Sequence, residues 1–206
     1  GAGIARKRQP LGDFVSNLFD AVFDHITMSV ASVRDARSGA VYGVNNTHFV
    51  LRGIYRNDDC LGYVQTPVGD KFRALLRKMR DLLMQELWVA PLQALSLVHM
   101  PETLVASPSD TRIKRADRHS VKAAFANFNA ELDKLLVVQT QWRIQDDQLR
   151  DEICKEHAEW VMPVYETFFK NFAHMSFTKH YDKYVRFTPD GVKSIIFKQL
   201  FRGVTM

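Results

Sequence analysis

The chain has 206 residues, of which 46% are hydrophobic and 25% are charged, and it carries a formal net charge of +5. These values are ordinary for one globular domain, or for two small ones stacked end to end, so a folded core needs no metal or disulfide. No apolar run approaches the ~18 residues of a membrane span, and Cys60 and Cys154 lack a disulfide or zinc-like spacing. We therefore expect a protein of the reducing cytosol. The absence of an initial Met suggests a fragment of a longer protein.

Helical periodicity dominates the first part of the chain. Apolar residues recur at three and four positions from Leu11 to Ile26, which predicts one buried helix face with Asp13 as N-cap. We expect this unit to end in a turn at Ser38-Gly39. A second helix over about 40–57 should bury the apolar residues Val41, Val44, Phe49, Val50 and Ile54.

A third helix is predicted over about 68–99, followed by a loop. Its apolar stripe comprises Phe72, Leu75, Leu76, Met79, Leu82, Leu83 and Leu87. Pro91 should kink or break it, because proline removes a helix hydrogen bond and clashes with the preceding turn. The prolines, serines and mixed charge of residues 100–117 predict a loop.

Three further helices are predicted in the C-terminal half. A fourth helix is predicted over about 118–142, and its apolar stripe includes Trp142. Asp146 and Asp147 should cap a fifth helix, whose apolar stripe includes Trp160. We expect both tryptophans to be core residues. Thr188-Pro189 should open the last helix and Gly203 should close it. Since no alternating strand pattern is visible, the predicted fold is all-α, with long antiparallel helices and bundles over 1–110 and 111–206.

The positive charge is concentrated at one end of the chain. Residues 170–206 hold seven basic and two acidic side chains, so this segment has the same net charge of +5 as the whole protein. Such asymmetry indicates an anionic partner, either lipid or nucleic acid, although a solvated basic surface would look the same.

Motifs of catalysis are missing from the sequence. It contains no glycine-rich phosphate loop, nucleophile elbow or H-E-x-x-H motif. Cys154 and His157 share a helix face, but a structural zinc site needs four ligands and no second pair is visible. We predict a non-enzymatic protein without metal or cofactor.

Several elements of the C-terminal part together resemble the seventy-kilodalton exocyst subunit family. In the order of the chain they are Phe125 with Phe128-Asn129, Gln139 with Trp142, Asp147 with Leu149-Arg150, Val164-Tyr165 with Phe168, Lys183-Tyr184-Val185-Arg186 and Leu200-Phe201. Their order and spacing are specific over about residues 118–203, while the first ~115 residues match mainly through helix lengths and the pair Asn45-Asn46.

This resemblance implies a rod-like stack of antiparallel helical bundles and a role in tethering secretory vesicles at the plasma membrane. It also implies other exocyst subunits and Rho-family GTPases as partners, and binding of phosphatidylinositol 4,5-bisphosphate through the C-terminal tip. The family's two central basic positions fall on Lys183 and Arg186, with Arg186 in place of an expected lysine. Arginine keeps the charge and can hold a phosphate with two hydrogen bonds. Lys179, Lys193 and Lys198 complete the candidate lipid-binding residues.

Two other functions are compatible with the residues alone. A helical nucleic-acid-binding module could use the same basic end, but the last helix offers only Lys193, Lys198 and Gln199 for reading bases. The chain could also be a purely structural interaction domain without a lipid role.

Overall fold

A computed structural model describes the backbone at residues 2–56, 66–96 and 115–203, and side chains at residues 10–56, 67–96 and 117–203. Regular structure in these ranges is helical, apart from one isolated bridge between Arg143 and Arg202. The helices are α1 (Ala2–Ser32), α2 (Ala36–Arg56), α3 (Thr66–Ser96), α4 (Arg115–Val138), α5 (Asp147–Phe172), α6 (Tyr181–Tyr184) and α7 (Pro189–Lys198), and a 3-10 turn at Gln139–Gln141 follows α4. The all-α prediction is confirmed. Cys60 and most of the predicted loop lie outside the described residues.

The chain forms two compact units, Gly1–Leu83 and Met84–Met206. Helix α3 contributes residues to both units, and it continues through Pro91 to Ser96 instead of ending at the proline. The domain boundary predicted at residue 110 falls in a segment that the structure does not describe.

In the first unit, α1 and α2 pack together and α3 adds aromatic contacts. Phe72 of α3 is fully buried, and its ring lies edge-on to those of Phe19 and Phe23 at centroid distances of 6.2 and 5.5 Å. The predicted buried face of α1 is only partly correct, because Leu11 and Phe14 are exposed. Asp13 is not an N-cap, since α1 already begins at Ala2.

The turn between α1 and α2 lies at residues 33–35, not at Ser38-Gly39. A carboxylate oxygen of Asp35 accepts hydrogen bonds from the backbone N–H and the hydroxyl of Ser38, at 3.0 and 2.6 Å, and thereby caps the start of α2. Ser38 and Gly39 are inside α2. Phe49, predicted to face inward, is 78% exposed.

The core of the second unit is aromatic. Phe128 of α4 stacks on Tyr165 of α5 at a centroid distance of 4.5 Å, and Phe125 lies edge-on to Phe168 at 4.9 Å. Phe125, Phe128 and Phe168 lie on the apolar stripes that the sequence predicts for α4 and α5, whereas Tyr165 was not part of the predicted stripe. Trp142 is also buried, as predicted, but it follows the 3-10 turn in extended backbone.

Helices α5 and α7 begin where the sequence predicted. The Asp146 side chain accepts a hydrogen bond from the Leu149 N–H at 2.9 Å, and the Thr188 hydroxyl accepts one from the Gly191 N–H at 3.1 Å. The end of α7 was predicted wrongly, because the helix ends at Lys198 and the left-handed Gly203 comes later, in the turn that follows.

Candidate functional site

The segment between α5 and α7, residues 173–187, carries Lys179, Lys183 and Arg186, and we call it the basic connector. It is fixed to the bundle at three points. The buried Phe177 ring stacks on Phe125 with a centroid distance of 5.5 Å. The side-chain amide of Asn129 donates to the Tyr184 carbonyl at 2.8 Å, and the Tyr165 hydroxyl donates to the Phe187 carbonyl at 2.6 Å.

These anchors explain some of the polar residues in the core. Asn129 and Tyr165 are both buried, and each donates a hydrogen bond to a backbone carbonyl of the connector. Burial raises the pKa of the Tyr165 hydroxyl. The connector thus presents its side chains from a backbone with defined positions.

Lys183 lies in α6 and is exposed to solvent. Its ammonium group is 6.0 Å from the centre of the Tyr184 ring, and the ammonium group of Lys122, on α4, is 5.9 Å from the same ring. Lys122 is not among the residues that the sequence predicts for the site. Helix packing brings it to the connector, and no local motif around residue 122 indicates this.

Arg186 is held by an acidic residue of α4. Two guanidinium nitrogens donate to the two carboxylate oxygens of Asp133, at 2.6 and 2.9 Å, which is a bidentate pair. The hydrogen bond to Asp133 raises the pKa of Arg186. Both side chains remain close to half exposed, so solvent can reach the pair.

The other candidate lysines occupy different surroundings. Lys179 and Lys198 are exposed, and Lys198 is in the last turn of α7. Lys193 lines an open groove of about 300 Å³ between α5 and α7, together with Lys155, Glu159 and Glu166. Lys183 and Lys122 therefore both approach the Tyr184 ring, whereas Lys193 lines a groove that another lysine and two glutamates also line.

The pair Cys154 and His157 is part of the core. His157 is fully buried, and its Nδ1 accepts a hydrogen bond from the Trp88 indole at 3.0 Å. Burial raises the pKa of the Cys154 thiol to about 11. Over the described ranges, no group of three His, Cys, Asp or Glu residues is arranged to hold a metal ion. Likewise, none of the helices described is long and apolar enough to span a bilayer.

The chain is similar to proteins of one family. It resembles Exocyst complex component 7 of Drosophila melanogaster, with 24% identity over 80% of this chain and 23% of that protein. It also resembles Exocyst complex component EXO70A1 of Arabidopsis thaliana, with 23% identity over 95% of this chain and 31% of that protein. The chain thus spans about a quarter to a third of the length of these relatives.

A solved structure of Exo70 from S. cerevisiae shares the fold. It matches 83% of this chain and 29% of its own chain, with a TM-score of 0.59 and 19% sequence identity. The family that comprises the C-terminal part of the Exo70 exocyst complex subunit matches residues 2–198, which is nearly the whole sequence. The chain therefore belongs to the Exo70 family of exocyst complex subunits, and it corresponds to the C-terminal part of such a subunit.

Proposed function

We propose that this chain is part of a non-enzymatic exocyst subunit that tethers secretory vesicles to the plasma membrane. In this proposal its basic end binds phosphatidylinositol 4,5-bisphosphate, while other surfaces contact exocyst subunits and Rho-family GTPases. The protein would then act from the cytoplasm as a peripheral component of sites of polarised secretion. Membership of the family supports the tethering role, and the lipid contact is supported by the distribution of charge.

The observation that carries the lipid proposal is the exposure of the lysines at the basic end. Lys179, Lys183, Lys193 and Lys198 are all exposed, and none forms an ion pair with another residue in the described part of the chain. A cation without an internal partner is available to an anionic surface. The ring of Tyr184, whose centre is 6.0 and 5.9 Å from the ammonium groups of Lys183 and Lys122, adds an amphipathic side chain of the kind found at membrane interfaces.

The expected affinity suits a tether. Each basic residue near an anionic membrane contributes about 1 kcal/mol, so five net charges give at most about 5 kcal/mol, or a Kd on the order of 0.1–1 mM. A contact of this strength is brief when it acts alone. It becomes durable when several subunits of an assembly bind the same membrane together.

Vesicle flotation with the double variant Lys183→Ala/Arg186→Ala tests this proposal. We expect binding to vesicles with phosphatidylinositol 4,5-bisphosphate to fall about thirtyfold, because two charges worth about 1 kcal/mol each are removed. The fold should be retained, since both side chains are solvent-accessible and an exposed ion pair contributes only about 0–1 kcal/mol.

The matched control is Arg77→Ala/Lys78→Ala on α3. These two exposed residues carry the same charge but belong to the other compact unit. If the control loses as much binding as the Lys183/Arg186 variant, general positive charge explains the attraction and the basic end is not the site. Equal binding to a nucleic acid of the same charge density would favour a nucleic-acid partner instead.

A further inference from the structure

Asp133 occupies the hydrogen-bonding fork of Arg186 in the way that a phosphate group would. Its two carboxylate oxygens accept from the two terminal guanidinium nitrogens at 2.6 and 2.9 Å. Arginine binds carboxylates and phosphates through this same planar pair of donors. While the pair is formed, Arg186 adds no net charge to the surface and its terminal nitrogens are engaged.

The pair can open without moving the backbone. The carbonyl of Tyr184 is held by Asn129, and the carbonyl of Phe187 is held by Tyr165, so the backbone is anchored on both sides of Arg186. The guanidinium carbon also lies 5.1 Å from the centre of the Phe187 ring. These contacts are independent of Asp133 and keep the side chain in place when the carboxylate is displaced.

The pair is also weak enough to be exchanged. Arg186 and Asp133 are 43% and 44% exposed, and ion pairs that are this accessible are screened by water and salt. A phosphomonoester carries more than one negative charge, so it competes well with a single carboxylate. Lys183 differs from Arg186 in this respect, because it has no carboxylate partner among the described residues.

We propose that Asp133 is an internal competitor for Arg186, which a phosphomonoester group on a lipid must displace before Arg186 can bind it. Lys183 and Lys122 then make the first contact, and Arg186 engages only when a phosphate replaces the carboxylate. This inference rests on the proposed function and assigns to Asp133 a role in setting the affinity and selectivity of the same site.

The test compares Asp133→Asn in two backgrounds, wild type and Arg186→Ala. Binding is measured by flotation with phosphatidylcholine vesicles that contain a few per cent of phosphatidylinositol 4,5-bisphosphate. Asp133→Asn should tighten binding about fivefold in the wild-type background, the gain expected from one additional cation at an anionic surface. In the Arg186→Ala background the same substitution should give no gain, because the side chain that it releases is absent.

Glu131→Gln is the matched control on the same helix. Glu131 pairs with Lys134 at 2.6 Å, so this variant also removes one negative charge and releases one cation, but not Arg186. We expect binding to stay within about twofold of wild type. A fivefold gain in the control, or an equal gain from Asp133→Asn in both backgrounds, would show that net charge alone sets the affinity and would overturn the inference.

Two further arms identify the ligand and separate the two proposals. With phosphatidylserine vesicles of equal surface charge, Asp133→Asn should increase vesicle binding by a smaller factor. Soluble inositol trisphosphate should displace the variant from phosphatidylinositol 4,5-bisphosphate vesicles more strongly than it displaces wild type. If wild type binds and Asp133→Asn binds equally or less well, only the competitor role fails. If neither protein binds beyond the phosphatidylcholine background, the proposed lipid function fails and the competitor role fails with it.

Discussion

Two tryptophans that look alike in the sequence differ at the residue scale. Both lie on predicted apolar stripes, but Trp142 is 3% exposed and Trp160 is 41% exposed. Truncation of Trp142 to alanine should lower the free energy of unfolding by about 3–5 kcal/mol, since it leaves a large cavity. Trp160→Ala should cost about 1 kcal/mol or less. Chemical denaturation of both variants measures the difference, and equal losses would show that Trp160 is buried too.

The sequence predicts which face of a helix is apolar, but not how much of that face is covered. Trp160 and Val164 both continue the apolar period of α5, yet each is more than 40% exposed. Coverage depends on which neighbouring helices reach that flank, and this is decided by tertiary packing. The same limit applies to Arg186, whose partner Asp133 is distant in the sequence and is brought close only by the fold.

The Cys154 thiol should be unreactive in the folded protein. Its side chain is buried, and its pKa of about 11 means that the reactive thiolate is scarce at neutral pH. In a Cys60→Ser background, we expect slow labelling by a maleimide reagent at pH 7 and fast labelling after the addition of denaturant. Rapid labelling under native conditions would mean that this part of α5 opens readily.

At the scale of single elements, the start of α5 depends on one carboxylate. Asp146 accepts from the Leu149 N–H, so Asp146→Ala should destabilise the protein by about 1 kcal/mol, the usual value of an N-cap. Asp151→Ala is the control, because that carboxylate is 68% exposed and lies 3.4 Å from the Arg150 guanidinium. Thermal unfolding followed by circular dichroism compares them, and the cap assignment is wrong if the two variants unfold alike.

Helix boundaries were predictable where capping chemistry was unambiguous. Asp146 and Thr188-Pro189 both precede apolar stripes, and both cap a helix in the structure. Gly39 misled the prediction for a physical reason. It is buried inside α2, where an added Cβ would lie 3.1 Å from the Val30 carbonyl oxygen, so the glycine permits close packing of α1 and α2 instead of ending a helix.

At the scale of the whole molecule, the sequence predicts the all-α fold and the uneven distribution of charge. It does not predict that the basic residues of the C-terminal segment lie in different surroundings. Lys183 and Arg186 are on the connector beside α4, where Arg186 is paired with Asp133, whereas Lys193 lines a groove between α5 and α7. The count of seven basic residues therefore overstates what one membrane contact can use. The effective site is smaller than the charge of the segment suggests.

A weak site of this kind predicts a strong dependence on valency. One copy of the chain should bind vesicles containing phosphatidylinositol 4,5-bisphosphate with a Kd no tighter than the order of 0.1–1 mM, and binding should fall as salt rises because the Debye length is only about 8 Å at physiological ionic strength. Fusion to a coiled coil that forms dimers should tighten apparent binding by about 100-fold or more, since the second contact becomes intramolecular.

The dimer of the Lys183→Ala/Arg186→Ala variant separates avidity at the basic end from other effects of the fusion. Dimerisation should increase the apparent vesicle affinity of this variant much less than that of wild type, because each of its copies binds too weakly for the second contact to persist. Flotation of the four proteins over a series of salt concentrations provides the measurement. An equal gain for both dimers would place the membrane contact outside Lys183 and Arg186, and a wild-type dimer that binds no better than one copy would refute a multivalent lipid contact.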